Sequence, residues 1–152
     1  MVIILFELFI IIFVLSGVVV IYFLAFNSYY KRIYKEKDKR VYLNKAKKVK
    51  DSDDKIFASN FSAEINGIYV SQKIIGLEIY PKGIIVKPPI LPPIALYNDE
   101  ISNLEFEEGK IFAKLKLEHT CSEFKEGLIN IRLLKAEMIQ LKELLKKEEI
   151  FY

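Results

Sequence analysis

Apolar positions fall into three regimes along this chain. The first is almost unbroken: Val2 to Phe26 is interrupted only by Glu7, Ser16 and Gly17. As a helix at 1.5 Å per residue it would be about 37 Å long. A bilayer core needs about 20 apolar residues. The pattern therefore predicts one membrane-spanning helix over residues 1–26. The second regime, residues 27–50, is polar, with Tyr30, Ile33, Tyr34 and Val41 at roughly helical spacing and Lys37 breaking the stripe. Its straight-chain residues favour helix, so it reads as a charged stalk continuing the first helix. Asp51-Ser52-Asp53-Asp54 then marks a stop, and residues 27–55 read as stalk and linker.

The third regime, residues 56–152, has short β-type runs punctuated by turn residues. Ile74 to Tyr80 and Gly83 to Lys87 flank Pro81-Lys82-Gly83, a hairpin signature. Pro88-Pro89-Ile90-Leu91-Pro92-Pro93 is no internal strand, because four of its six residues lack an N–H. It reads as a stiff extended connection. Ile94 to Tyr97 is a short strand that leads into a local turn at Asn98-Asp99-Glu100. Ile101 to Glu107 is a further run. Ile111, Ala113, Leu115 and Leu117 alternate with polar or aromatic neighbours, as in a half-buried strand. Phe124 to Ile131 is another strand candidate, and Phe57 to Val70 supplies one or two more, with Gly67 as a turn or bulge. Leu134, Met138, Leu141 and Leu145 then form the apolar face of an amphipathic helix. The expected architecture is an N-terminal transmembrane helix plus a mainly β cytoplasmic domain. That domain is a bent sheet or open barrel of six to seven strands closed by the C-terminal helix.

Charge sharpens the division. The net charge is +3. Residues 31–50 hold ten Lys/Arg against Glu36 and Asp38, a balance of +8, while residues 51–152 carry −4. No basic residue precedes the apolar run, and Lys31, Arg32, Lys35, Lys37, Lys39 and Arg40 follow it at once. Basic flanks stay inside, so the expected topology is single-pass in the cell membrane, N-terminus outside and C-terminal domain in the cytoplasm. The run is too long for a signal peptide and lacks a basic lead-in, so an uncleaved anchor is expected. Tyr22, Tyr29, Tyr30 and Tyr34 suit the headgroup zone. Glu7 lies close enough to the start for its side chain to reach the outer interface.

Polybasic segments beside a membrane attract anionic headgroups at about 1 kcal/mol per Lys/Arg. The expected headgroup contacts are Lys31, Arg32, Lys35, Lys37, Lys39, Arg40, Lys45, Lys47, Lys48 and Lys50. No stacking platform or recognition motif accompanies them, so nucleic acid is not an expected partner. Ile90, Leu91 and Ile94 of the Pro-rich strip are a candidate surface for a protein partner.

Catalytic inventory is thin. One His and one Cys, His119 and Cys121, sit in Glu118-His119-Thr120-Cys121-Ser122, read as a loop. Two soft ligands fall short of a structural zinc set. No phosphate loop, nucleophile elbow or HExxH helix is present. No enzyme activity, cofactor or metal is expected.

Three segments carry a resemblance. Gly76-Leu77-Glu78-Ile79-Tyr80-Pro81-Lys82-Gly83-Ile84-Ile85-Val86 resembles the hairpin of bacterial or archaeal pleckstrin-homology-like (PH-like), GRAM-like domains. Ala95-Leu96-Tyr97-Asn98-Asp99-Glu100-Ile101 is similar to their I-P-Y-x-x-I segment, with Leu96 in place of the proline. Leu128 to Leu145 resembles their last strand and helix. The resemblance implies a binding or scaffolding module. Some such modules bind inositol lipids through a basic early hairpin loop, where this chain offers only Lys73 and Lys82.

Overall fold

The computed structural model describes residues 2–50 and 54–150. The chain forms two compact units, Met1–Arg32 and Ile33–Tyr152. The first is the body of helix α1 (Val2–Ile33). Its stretch Glu7–Ile33 is long and apolar enough to cross a membrane.

The expected continuous stalk is replaced by a break and a second helix, α2 (Lys39–Lys50). Two interactions account for the break. Ile33 O accepts from Lys125 N at 2.9 Å and Lys35 N donates to Glu123 O at 3.2 Å, so Tyr34 pairs with Phe124 as an antiparallel bridge. Asp38 then caps α2, its Oδ1 accepting from Arg40 N at 2.9 Å. Tyr42, Lys45, Ala46 and Val49 form a buried stripe on α2, the i, i+3, i+4, i+7 spacing of a packed helix. The Asp51–Asp53 part of the expected linker lies outside the described residues.

Seven antiparallel strands follow: β1 (Phe57–Ile65), β2 (Ile68–Tyr80), β3 (Gly83–Lys87), β4 (Ile94–Tyr97), β5 (Ile101–Glu108), β6 (Phe112–His119) and β7 (Leu128–Leu134). Their order is β4-β3-β2-β1-β7-β6-β5. Helix α3 (Lys135–Lys147) packs on β6 and β7 through Met138, Leu141 and Leu145. A curled antiparallel half-barrel closed by a C-terminal helix is the PH-like arrangement that the sequence resemblance implies.

Local chemistry explains the turns. Asn66 and Gly67 both have positive φ, 49° and 78°, and Ile65 pairs with Ile68. This is the two-residue hairpin for which Asn-Gly is the strongest signal. At Gly83 a Cβ would lie 2.1 Å from the Leu96 carbonyl oxygen, so only glycine permits that approach of β3 to β4. The register of β1 on β2 slips between Phe61 and Ala63, where Gln72 and Lys73 take positive φ and bulge outward. Bulges bend strands and raise twist, which helps the sheet to curl.

Burial separates two faces. Phe61, Ala63, Ile75, Leu77, Ile84, Leu96, Leu115 and Ile131 belong to the buried core. On β3, four consecutive residues, Gly83 to Val86, are buried. A run without alternation means that both sheet faces are covered. Ile85 and Ala95, on the opposite face from Ile84 and Leu96, cluster with Ala46 and Val49 of α2 and with Tyr80. Thus α2 is the outer cover of β3 and β4.

Three smaller expectations shift. Ile111 precedes β6 and is exposed, so the inward face is Ala113, Leu115, Leu117 and His119. The last strand runs Leu128–Leu134, later than Phe124 to Ile131, because Phe124 serves the bridge with Tyr34. Leu134 precedes α3 and is exposed, with its N–H donating to Glu137 Oε2 at 2.7 Å.

Candidate functional site

The expected cations divide by what holds them. Lys31 and Arg32 end α1 and are exposed. Lys35 and Lys37 lie in the exposed connection. Lys39 and Arg40 open α2, and Lys47, Lys48 and Lys50 close it, all exposed. Because the opposite stripe of α2 is locked onto the sheet, its cations stand on a folded surface.

Lys45 departs from this set. It is only 6% exposed. Its ammonium donates to Glu100 Oε1 at 2.6 Å, Cys121 Sγ at 2.9 Å and Glu123 Oε2 at 3.1 Å. The Tyr97 ring centroid lies 5.4 Å away. A buried ammonium needs such partners, so Lys45 is a cross-link inside the fold and not a headgroup contact. Glu100 is positioned by its other oxygen, which accepts from Tyr97 N at 2.8 Å. Glu100, Cys121 and Glu123 bring three ligand atoms within 4.8 Å of one another, but Lys45 already supplies the cation they surround.

Electrostatics fits a closed structural cluster. Burial lowers the Lys45 affinity for its proton, yet the bonds to Cys121, Glu100 and Glu123 outweigh it and hold the ammonium charged far up the scale. Burial and the bond to Glu123 push the Cys121 thiol up to about 11. A protonated thiol is a poor nucleophile. Burial raises Glu123, but the bonds from Cys121 and Lys45 bring it down to about 2. His119 ends β6 and is buried, edge-on to Phe124, and burial lowers its affinity for a proton.

An aromatic group anchors the connection between α1 and α2. The Tyr34 and Tyr42 centroids are 4.8 Å apart, and Tyr42 stacks on Phe124 at 5.1 Å. The Tyr34 hydroxyl donates to Pro92 O. Tyr34 is therefore buried against the strip, so its ring has no exposed face to offer the headgroup zone expected for it.

The Pro-rich strip splits likewise. Ile90 is 70% exposed and Leu91 is half-buried, but Ile94 belongs to β4 and is buried in the core. Ile94 is thus removed from the candidate partner surface, because it pairs with Val86 inside the sheet.

A second cluster escaped the sequence reading. Glu78 of β2 lies 2.6 Å from Lys87, 3.2 Å from Lys55 and 3.6 Å from Lys50. Tyr80 Oη donates to it at 3.1 Å. Burial raises Glu78, but the bonds from Lys87 and Lys55 prevail and hold it at about 2. The signal was a lone charge within the apolar run Ile75 to Tyr80: a carboxylate there needs a partner.

No family model and no curated protein matches the chain. Among solved structures, it is similar to the Vps36 N-terminal PH domain, at 11% identity and a TM-score of 0.47, over 64% of this chain and 80% of that one. It is also similar to the C-terminal domain of an unknown protein from Leishmania infantum, at 9% identity and a TM-score of 0.49, over 73% of this chain and 98% of that one. The fold reading rests on strand order and helix placement, not on these likenesses.

Proposed function

We propose that the chain is a single-span membrane protein that presents a PH-like interaction module to a protein partner at the inner membrane face. Its N-terminus lies outside, and the basic segment seats the module on anionic lipid. The observation that carries this reading is the form of the basic segment. Lys39, Arg40, Lys47, Lys48 and Lys50 sit on a helix fixed to the sheet, directly after an apolar helix of membrane-crossing length. Together with Lys31, Arg32, Lys35 and Lys37 they are the proposed headgroup contacts, at about 1 kcal/mol each near the surface. Lys45 has no part in this. The module's own role is recognition, and no reaction is assigned to it.

Topology is the direct test. The full chain carries a C-terminal reporter that is active only in the cytoplasm or, in parallel, one active only outside. Cytoplasmic activity together with retention in the membrane fraction after alkaline carbonate is expected. Activity outside, or release by carbonate, overturns the reading.

A further inference from the structure

The Glu78 cluster borders an open groove between α2 and the Pro-rich strip. Its aliphatic lining is Leu43, Ala46, Leu91 and Pro93. Its basic lining is Lys47, Lys50 and Lys87. The volume is about 460 Å³, within the range of about 300–1,000 Å³ typical of small-ligand sites. Around it, Glu78 is a single carboxylate facing Lys50, Lys55 and Lys87. Lys47 has no ion pair among the described residues and adds a further positive charge. The groove therefore combines an excess of cations with aliphatic surface.

We propose that this groove binds the headgroup of an anionic phospholipid from the bilayer. The phosphate lies among Lys47, Lys50 and Lys87, and the glycerol end rests on Leu43, Leu91 and Pro93. The inference rests on the membrane reading above and adds a defined site to it. Charge complementarity selects an anion, and the aliphatic lining selects one with an apolar end. The rim favours a lipid over a free phosphate or an acidic peptide. Ile90, beside Leu91 in the strip, is 70% exposed with φ +68°. A β-branched side chain adopts that backbone region only under strain. An exposed aliphatic residue next to lysines suits the boundary of a bilayer, where the stem and head of each lysine find different surroundings. Chain length places the site within reach of the membrane. Only Tyr34 to Asp38 separate the two helices, a contour of about 20 Å, and α2 itself is about 18 Å long.

The test uses the full chain in nanodiscs of phosphatidylcholine doped with photoreactive phosphatidylglycerol or, separately, photoreactive phosphatidylcholine. Adducts mapped by mass spectrometry are expected at 43–50 and 87–93 with the anionic probe only. Lys47→Glu is expected to lower that yield at least about fivefold, the equivalent of about 1 kcal/mol for one lysine. Lys110→Glu, exposed in the turn between β5 and β6 and outside both the groove and the basic segment, makes the same change in net charge and is expected to leave the yield unaltered. Equal losses in the two variants would mean diffuse attraction and overturn the site, as would equal labelling by both probes. Suppression of labelling by millimolar inorganic phosphate added before irradiation assigns the groove to a free anion. Suppression by a glutamate-rich peptide assigns it to an acidic protein. Either result overturns the lipid assignment. A chain that fails to enter the discs removes the membrane reading itself, and this inference with it.

Discussion

Lys45 shows how residue type and role can part company. It lies within a basic run, yet it is enclosed by Glu100, Cys121 and Glu123. Removing one member of a buried ion pair leaves its partners uncompensated, at about 3–5 kcal/mol. Here the two carboxylates keep side-chain exposures of 22% and 29%, so water offsets part of that loss. Lys45→Met is expected to destabilise the full chain by about 3 kcal/mol in chemical denaturation. The double variant Lys45→Met/Glu123→Gln is expected to recover part of the loss. A loss below about 0.5 kcal/mol, the scale of ordinary surface substitutions, would show Lys45 to be a surface lysine after all. Nothing in the sequence distinguishes Lys45 from Lys47 or Lys48 by type. The distinction comes from the phase of α2 and from two glutamates far along the chain.

At the scale of elements, α2 is part of the sheet unit. Tyr42 is fully buried between Tyr34 and Phe124. Truncating a buried aromatic costs about 3–5 kcal/mol. Tyr42→Ala is therefore expected to lower the melting temperature of the β unit, followed by the circular dichroism of its strands, while Lys48→Ala leaves it within error. Unchanged melting in Tyr42→Ala would restore α2 to a detached stalk. The strands and α3 were legible in the sequence because their signals are local: alternation in β6, turn residues at Pro81-Lys82-Gly83, and helical spacing in α3. The end of α1 was not. It depends on Ile33, Tyr34 and Lys35 pairing with residues 123–125, a contact that no local pattern announces. One local sign was present, Asp38 ahead of a helix-favouring run, which is an N-cap signature. Of the candidate site, the cations and the strip were legible as types, but their meeting in one groove was not. That meeting requires α2 to fold back over β3 and β4, as the unalternating run Gly83 to Val86 implies once both faces are known to be covered.

For the whole molecule, the buried charges set an acid limit. Glu78 and Glu123 are held at about 2 against an ordinary 4.5. Groups with depressed folded values contribute fully above the unfolded value, and their contribution is lost as pH falls toward the folded one. His119 is also depressed, from 6.5, by burial, so proton uptake below that pH favours the unfolded chain. Melting temperature is therefore expected to fall gently below pH 6.5 and steeply between 4.5 and 2. Glu78→Gln is expected to lower it at pH 7 and to flatten the steep limb. An acid limb as steep in Glu78→Gln as in the unaltered chain would show that Glu78 is not among its causes.

The bridge between Ile33–Lys35 and Glu123–Lys125 also has a mechanical meaning. A pull arriving along α1 reaches residue 33 and passes at once, through the bonds to Lys125 and Glu123, into the segment ahead of β7. What that bridge does not carry passes through Tyr34 to Pro92 and through α2 to β3 and β4. Strand β1 comes next in sequence, yet the first load on the sheet arrives elsewhere. Tension along α1 is thus divided between the β7 side and the β3–β4 side of the half-barrel before it can peel the first strand from its neighbours.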